Sequence, residues 1–291
     1  MKTVLLTGAT GFLGSHLLES LLKDKYRVII LKRSTSDTWR IRHLLEQVKS
    51  YDIDIEPVEN AFIEQRIDAV YHTACHYGRN GDSIAVIVDS NLMFGLQVLD
   101  ASLKYKVETF INTDTLLKKH LNHYTLSKNQ FVEWLQQVSD QIQVINLKLE
   151  HMYGPKDDDT KFVSWVINQL KSKVPEIKLT AGEQLRDFIY IDDVVSAFML
   201  TLEKSKTLAK FTEFDVGTGT LMSVKKFLKT LKSVYEKENA VIQTQLNFGV
   251  IPYREGEMMR VEVNNTNLRN LGWQTKITLE QGLLNILESD K

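Results

Sequence analysis

The chain has 291 residues, 43% hydrophobic and 25% charged, which is enough for a sizeable core in one large domain or in a main domain plus a smaller one. Its 36 lysines and arginines nearly balance 37 aspartates and glutamates, so a formal charge of -1 leaves no global electrostatic case for nucleic acid or an anionic membrane. Cys75, the single cysteine, excludes an intrachain disulfide; with no signal peptide ahead of the first strand and no apolar run near the roughly 20 residues of a membrane span, a cytoplasmic protein is expected.

In chain order, short apolar runs alternate with helical patterns: KTVLL (2 to 6), RVIIL (27 to 31), DAVYH (68 to 72), TFIN (109 to 112), QVINLKL (143 to 149) and EFDVG (213 to 217). Runs apolar on both faces and separated by helices predict a buried parallel sheet with right-handed crossovers, a doubly wound α/β fold. The first intervening helix is predicted from Leu13, Leu17, Leu18, Leu21 and Leu22, which recur at helical spacing. Past residue 155 the pattern loses regularity, through the acidic loop KDDDTK (156 to 161) and the amphipathic FVSWVINQL (162 to 170). The expected division is a dinucleotide-binding domain over 1–155, with segments near 187–220 returning to it, and a smaller substrate-side domain mainly over 156–291.

Between the first strand and the leucine-striped helix lies Thr7-Gly8-Ala9-Thr10-Gly11-Phe12-Leu13-Gly14. Glycines at such a turn let backbone N–H groups at the helix N-terminus face a pyrophosphate, and the last one permits close helix-to-strand packing. A tight turn with no ligand is the competing reading. Further along, NTDTLLKKHLNHYTLSK (112 to 128) places Tyr124 and Lys128 at i and i+4, one face of a helix. A neighbouring ammonium lowers the pKa of a phenol and turns it into a usable acid or base. The alternative is an ordinary helix turning Tyr124, Phe131 and Leu135 to the core.

The G-x-x-G-x-x-G spacing and the Tyr124/Lys128 pair resemble the short-chain dehydrogenase/reductase superfamily, a Rossmann fold. The resemblance implies a dinucleotide held by Thr7, Gly8, Gly11, Phe12, Leu13, Gly14, Ala74 and Asn91, with Tyr124 and Lys128 at the nicotinamide. Lys32, Arg33 and Ser34 end the second strand, where relatives that prefer NAD place an acidic residue. An arginine there suits a 2′-phosphate, so NADP (as NADPH) is expected over NAD. The superfamily triad also needs a hydroxyl at the end of the preceding strand. Thr115 is the expected residue and Thr113 the alternate.

Further stretches resemble the extended branch, the nucleotide-sugar epimerases, dehydratases and reductases, along nearly the whole chain. They are Asn91 in SNLMFGLQVLD, His151-Met152-Tyr153-Gly154-Pro155 with histidine for the usual asparagine, Arg186-Asp187-Phe188 followed by Asp192-Asp193-Val194, and Arg254 with Glu257. NTDT, LEHMYGP, GEQLRDFIYIDDVV and DVGTG resemble the CDP-abequose synthase group of nucleotide-sugar 4-reductases. Dehydratases carry threonine, aspartate, glutamate at the strand end; here Asp114 remains and Thr115 stands for the glutamate, so dehydration is disfavoured. The resemblance implies NADPH-dependent reduction of the 4-keto group of a nucleoside-diphosphate, CDP-linked, 4-keto-6-deoxysugar by a homodimer. It assigns His76, Tyr77, His151, Phe162, Arg186, Arg254 and Glu257 to the substrate. The alternatives are a C4 epimerase with retained NAD and a dinucleotide sensor without turnover. No metal is expected: His72, Cys75 and His76 lack a second ligand pair at finger spacing, and hydrolase motifs are absent.

Overall fold

The computed structural model describes residues 2–79, 81–239 and 241–289, which divide into two compact units, Met1–Leu149 with Val195–Asp215, and Glu150–Val194 with Val216–Lys291. The first unit is built on a seven-stranded sheet. Its strands are β1 (Thr3–Thr7), β2 (Arg27–Lys32), β3 (Lys49–Asp52), β4 (Ala69–His72), β5 (Thr109–Thr115), β6 (Gln143–Leu149) and a last strand, Phe211–Val216. Their spatial order is Phe211–Val216, β6, β5, β4, β1, β2, β3, with β1 to β6 paired in parallel. From β1 the chain winds outward to β2 and β3, then returns to start β4 on the other side. That reversal between β1 and β4 opens a crevice at the carboxyl ends of the strands, the usual ligand position of such sheets.

Five of the six strands expected from sequence differ from the quoted runs by a residue or more at one end or both, and QVINLKL coincides with β6; β5 continues three residues past TFIN, through Thr115. β3 went unseen, because KSYD lies at the sheet edge and buries only Tyr51. The helix Phe12–Lys23 buries Leu13, Leu17, Leu18 and Leu21. Each such leucine contributes about 1.5–3 kcal/mol. Leu22 is half-buried on the flank.

The long helix Ile84–Lys104 contains a π turn over Asp89–Met93. By length and composition it passes as a membrane span, contrary to the sequence expectation, yet Ile87, Val98, Leu99 and Ala101 are buried in the core. Gly95 admits the Phe131 ring of the helix His123–Gln137: a Cβ there would meet Phe131 Cε2 at 2.8 Å. The second unit pairs His151–Tyr153 with Phe188–Tyr190, and Glu176–Leu179 with Gln245–Phe248. Its core holds Phe188 stacked on Phe227 at 3.9 Å, with Tyr153 edge-on to Phe227 and Tyr190.

Candidate active site

β1 runs into the glycine loop, and the helix after it opens without a side-chain cap. Its first intrahelical bond is Ser15 N–H to the Gly11 carbonyl, 3.0 Å, so the N–H groups of Phe12, Leu13 and Gly14 precede the hydrogen-bonded ladder and suit an anion. Gly8 has φ +69°, and a Cβ on it would meet Ala74 N at 2.7 Å. On Gly14 a Cβ would meet the Gly8 carbonyl oxygen at 2.0 Å. Only glycine lets these segments close into a cradle, and the cradle fits a dinucleotide pyrophosphate.

Thr7 and Asn91, expected among cofactor contacts, are fully buried and act as braces. The Thr7 hydroxyl accepts from the Thr73 and Ala74 amides (3.2 and 3.3 Å) and lies 3.0 Å from His72 Nδ1. Asn91, within the π turn, clamps the His76 backbone: its Oδ1 accepts from His76 N–H at 2.6 Å and its Nδ2 donates to His76 C=O at 2.9 Å. The same amide donates to Ser127 Oγ at 3.0 Å, which ties the loop after β4 to the helix of Tyr124.

That helix starts on a capping box. Asn122 Oδ1 accepts from Thr125 N–H (2.9 Å) and Asn122 N–H donates to Thr125 Oγ1 (3.1 Å), so Tyr124 falls in the first turn and Lys128 one turn later. Lys128 is 1% exposed, and among the described residues its ammonium has no hydrogen-bond or ion-pair partner. Burial lowers its pKa, opposed by Cys75 and Asp114. Burial holds the Tyr124 phenol well above its usual value, reinforced by Cys75, Tyr77 and Asp114. The opposing cation is Arg79, on the loop after β4, where the sequence had pointed to Lys128. Such a phenol stays protonated at neutrality, the state a proton donor needs.

The two candidate threonines differ. Thr115 Oγ1 accepts from Leu117 N–H at 3.2 Å, whereas the buried Thr113 Oγ1 has no partner among the described residues. Thr113 thus offers a hydroxyl with no partner among the described residues, while Thr115, an acceptor in its one hydrogen bond, keeps its O–H to donate; both candidates stay open. Beside it Asp114 Oδ2 accepts from Asn146 Nδ2 (3.1 Å), and Asp114 Oδ1 is likewise buried without a partner.

A row of polar residues that the sequence did not reveal crosses four adjacent strands. Thr7, His72, Asn112 and Asn146 are register partners on neighbouring strands, and Asn146 also donates to Glu213 at 2.8 Å. Burial, then the charge of Lys128, pushes the His72 pKa down to about 3, so it is a neutral core residue.

At the end of β2, Lys32 pairs with Asp52 of β3 at 3.6 Å, and the Ser34 hydroxyl and amide donate to Asp52 (2.8 Å) and Asp54 (2.9 Å). Arg33 is exposed. Arg40, not foreseen, lies over Trp39 and reaches the Thr10 carbonyl of the glycine loop at 3.4 Å.

In the second unit Arg186 and Glu257 come together, Nη2 to Oε1 at 2.5 Å, with Arg186 Nη1 donating to the Leu185 carbonyl. The guanidinium keeps further donors for an acidic ligand. Asp187 was quoted only as part of a motif; it accepts from the Thr218 amide and hydroxyl and the Gly219 amide (2.7–2.9 Å), fixing the DVGTG loop. His151 Nδ1 is 2.5 Å from the buried Glu150 carboxylate. Arg254 and Phe162 are exposed, and the Arg254 carbonyl accepts from the Glu257 amide at 3.1 Å.

The sequence pattern of the NAD dependent epimerase/dehydratase family matches residues 4–217. The chain is 34% identical to the CDP-abequose synthase of Salmonella typhimurium, over 98% of this chain and 97% of that protein. Its fold matches the UDP-glucose 4-epimerase of Thermotoga maritima, solved with UDP-glucose, at TM-score 0.86 and 25% identity, covering 99% and 98% of the two chains. The Thermus thermophilus UDP-glucose 4-epimerase, solved with NAD, matches at TM-score 0.84 and 23% identity, with the same coverage. By family pattern, by near full-length relatives and by the glycine cradle with its Tyr124/Lys128 pair, the chain belongs to the NAD-dependent epimerase/dehydratase family, the extended short-chain dehydrogenase/reductases.

Proposed function

We propose that the protein reduces the 4-keto group of a CDP-linked 4-keto-6-deoxysugar. The observation that carries this is the Tyr124 phenol, held protonated by burial one turn from a buried Lys128 that has no hydrogen-bond or ion-pair partner among the described residues. A nicotinamide dinucleotide, when bound, supplies the hydride. Tyr124 donates its proton to the C4 oxygen, Thr113 positions that oxygen through its unspent hydroxyl, and Lys128 holds the nicotinamide ribose and keeps positive charge in the pocket. The glycine cradle and the first turn of the helix Phe12–Lys23 hold the pyrophosphate. Arg186, with Glu257 as its counter-ion, offers donors to the nucleoside diphosphate, and Arg254 is a second cation for it. His76, Tyr77, His151 and Phe162 are assigned to the sugar nucleotide.

Substitution of threonine for the dehydratase glutamate at position 115 supports reduction over elimination, and the 34% identity to a CDP-abequose synthase supports the CDP-linked substrate. Arg33 and Arg40 support NADPH; Asp52 and Asp54 beside Ser34, and a fold neighbour solved with NAD, weigh toward NADH. The fold likeness to UDP-glucose 4-epimerases favours one second reading, C4 epimerisation on retained NAD. We place the enzyme in the cytoplasm as a homodimer. Ile84, Val86, Met93 and Trp134, exposed on two packed helices, support the dimer, which sedimentation reads directly.

The test is oxidation of NADPH and of NADH against a panel of nucleotide 4-keto-6-deoxysugars, with Tyr124→Phe alongside. Turnover is expected, with kcat in the variant lower by roughly 100-fold to 10,000-fold. No turnover with any member, or full activity of Tyr124→Phe, contradicts the proposal.

A further inference from the structure

The loop after β4 builds a second arrangement around Tyr124. The Tyr77 ring lies against the Tyr124 ring, centroids 5.0 Å apart and 36° from parallel, and the Arg79 guanidinium carbon is 5.1 Å from the Tyr77 centroid. Gly78 lies between them at φ +64°, where a Cβ would meet Ile87 Cδ1 at 2.4 Å, so the backbone turn that sets 77 and 79 on either side of it demands glycine. The loop is fastened just before the stack by the Asn91 clamp on the His76 backbone, and His76 Nε2 is 3.0 Å from Asp82. Asn91 also holds Ser127, whose hydroxyl bonds the carbonyl of Tyr124 itself at 2.9 Å. One buried amide therefore fixes both sides of the Arg79, Tyr77, Tyr124 stack.

We propose that Arg79 is a positioning residue for the proton donor: through the Tyr77 ring it sets the orientation of the Tyr124 phenol and supplies positive charge where phenolate forms. The inference rests on the reductase reading and adds to it a residue that no motif singles out. In the reduction, C4 gains a hydride while the Tyr124 O–H bond breaks and its proton goes to the carbonyl oxygen, so negative charge develops on Tyr124 in the transition state. Only charge placed for that moment speeds the step. The groups acting on the phenol are Cys75, Tyr77 and Arg79 on the loop and Asp114 on β5, with Lys128 one turn along its own helix. Burial, the thiol, the second phenol and the carboxylate all oppose phenolate, and Arg79 favours it. A guanidinium against an aromatic face is also a favourable contact in its own right.

Arg79→Leu, Arg79→Lys and Tyr77→Ala test this with two readouts. The first is kcat and KM against pH. The second is fluorine NMR titration of cofactor-free protein carrying a difluorotyrosine in place of Tyr124, whose more acidic phenol titrates in an accessible range. Arg79→Leu is expected to raise the titration midpoint and lower kcat about three-fold, the scale of an exposed cation–aromatic contact, with KM little changed. Tyr77→Ala follows the same direction, and Arg79→Lys restores most of both readouts. An unchanged midpoint in Arg79→Leu, or Arg79→Lys as impaired as Arg79→Leu, overturns the inference while leaving an active native enzyme a reductase. If the native protein turns over no sugar nucleotide, the reductase reading fails, and the fluorine midpoint still decides whether Arg79 acts on the phenol.

Discussion

Thr113 and Thr115 stand two apart on β5 and so share a face of the strand, yet they spend their hydroxyls differently. An orphaned buried hydroxyl is costly unless a ligand completes it. Thr113→Val should therefore lower kcat about tenfold, the worth of one hydrogen bond, while Thr115→Val changes it less; the reverse order, measured by steady-state kinetics, would place Thr115 in the triad. At this scale much of the site could be read in the sequence. The i, i+4 spacing of Tyr124 and Lys128 is a local property, and the capping box that anchors it is local too. What could not be read was which cation faces the phenol, because Arg79 reaches it through a loop 45 residues upstream, held by an amide on a third element. Nor could periodicity tell that Thr7 and Asn91 brace backbone segments, since their partners lie on other strands and helices.

Two elements meet at the crevice, the glycine loop and the loop after β4, and a buried hydroxyl and a buried amide fix their spacing. The row Thr7, His72, Asn112, Asn146 crosses four adjacent strands, at the carboxyl ends of β1 and β4 and at the middle of β5 and β6. His72 sits in it among the rings of Phe94, Phe110 and Phe131, fully buried, with its pKa pushed from the ordinary 6.5 to about 3. The unfolded chain binds a proton at this residue below about pH 6.5 and the folded chain does not until near 3. Its contribution to stability is thus complete above the unfolded value and is lost as pH falls through that window. The loss reaches about 2 kcal/mol near about pH 5. Urea unfolding across this range should show the decline, and His72→Gln, which keeps an acceptor for the Thr7 hydroxyl, should flatten it; an equal slope in the variant would mean that other groups carry the acid sensitivity. The glycine loop was legible because its demands fall on consecutive residues. β3 was not, since an edge strand with one buried side chain has no apolar run, and with it went the pairing of Lys32 and Ser34 to Asp52.

At the scale of the whole chain, a parallel sheet wound in both directions from β1 could be read from alternating apolar runs and helical stripes, because parallel strands are buried on both faces. The second unit gave weaker signals. Its strands are two to four residues long, and its cohesion comes from the Phe188 and Phe227 stack and from Asp187 holding the DVGTG loop, contacts between distant segments. Family membership follows from the full-length likeness, but fold alone does not separate a reductase from an epimerase, since the same tyrosine and lysine serve both. The difference lies in where the hydride ends. Net reduction leaves it on the sugar and consumes the cofactor, whereas epimerisation returns it. The most direct measurement uses NADPH deuterated at the transferable position of the nicotinamide, incubated with the CDP-linked 4-keto-6-deoxysugar, with deuterium located in the product by NMR. The account predicts one deuterium at C4 for each NADPH oxidised, and a sugar isomerised without label or cofactor consumption would contradict it.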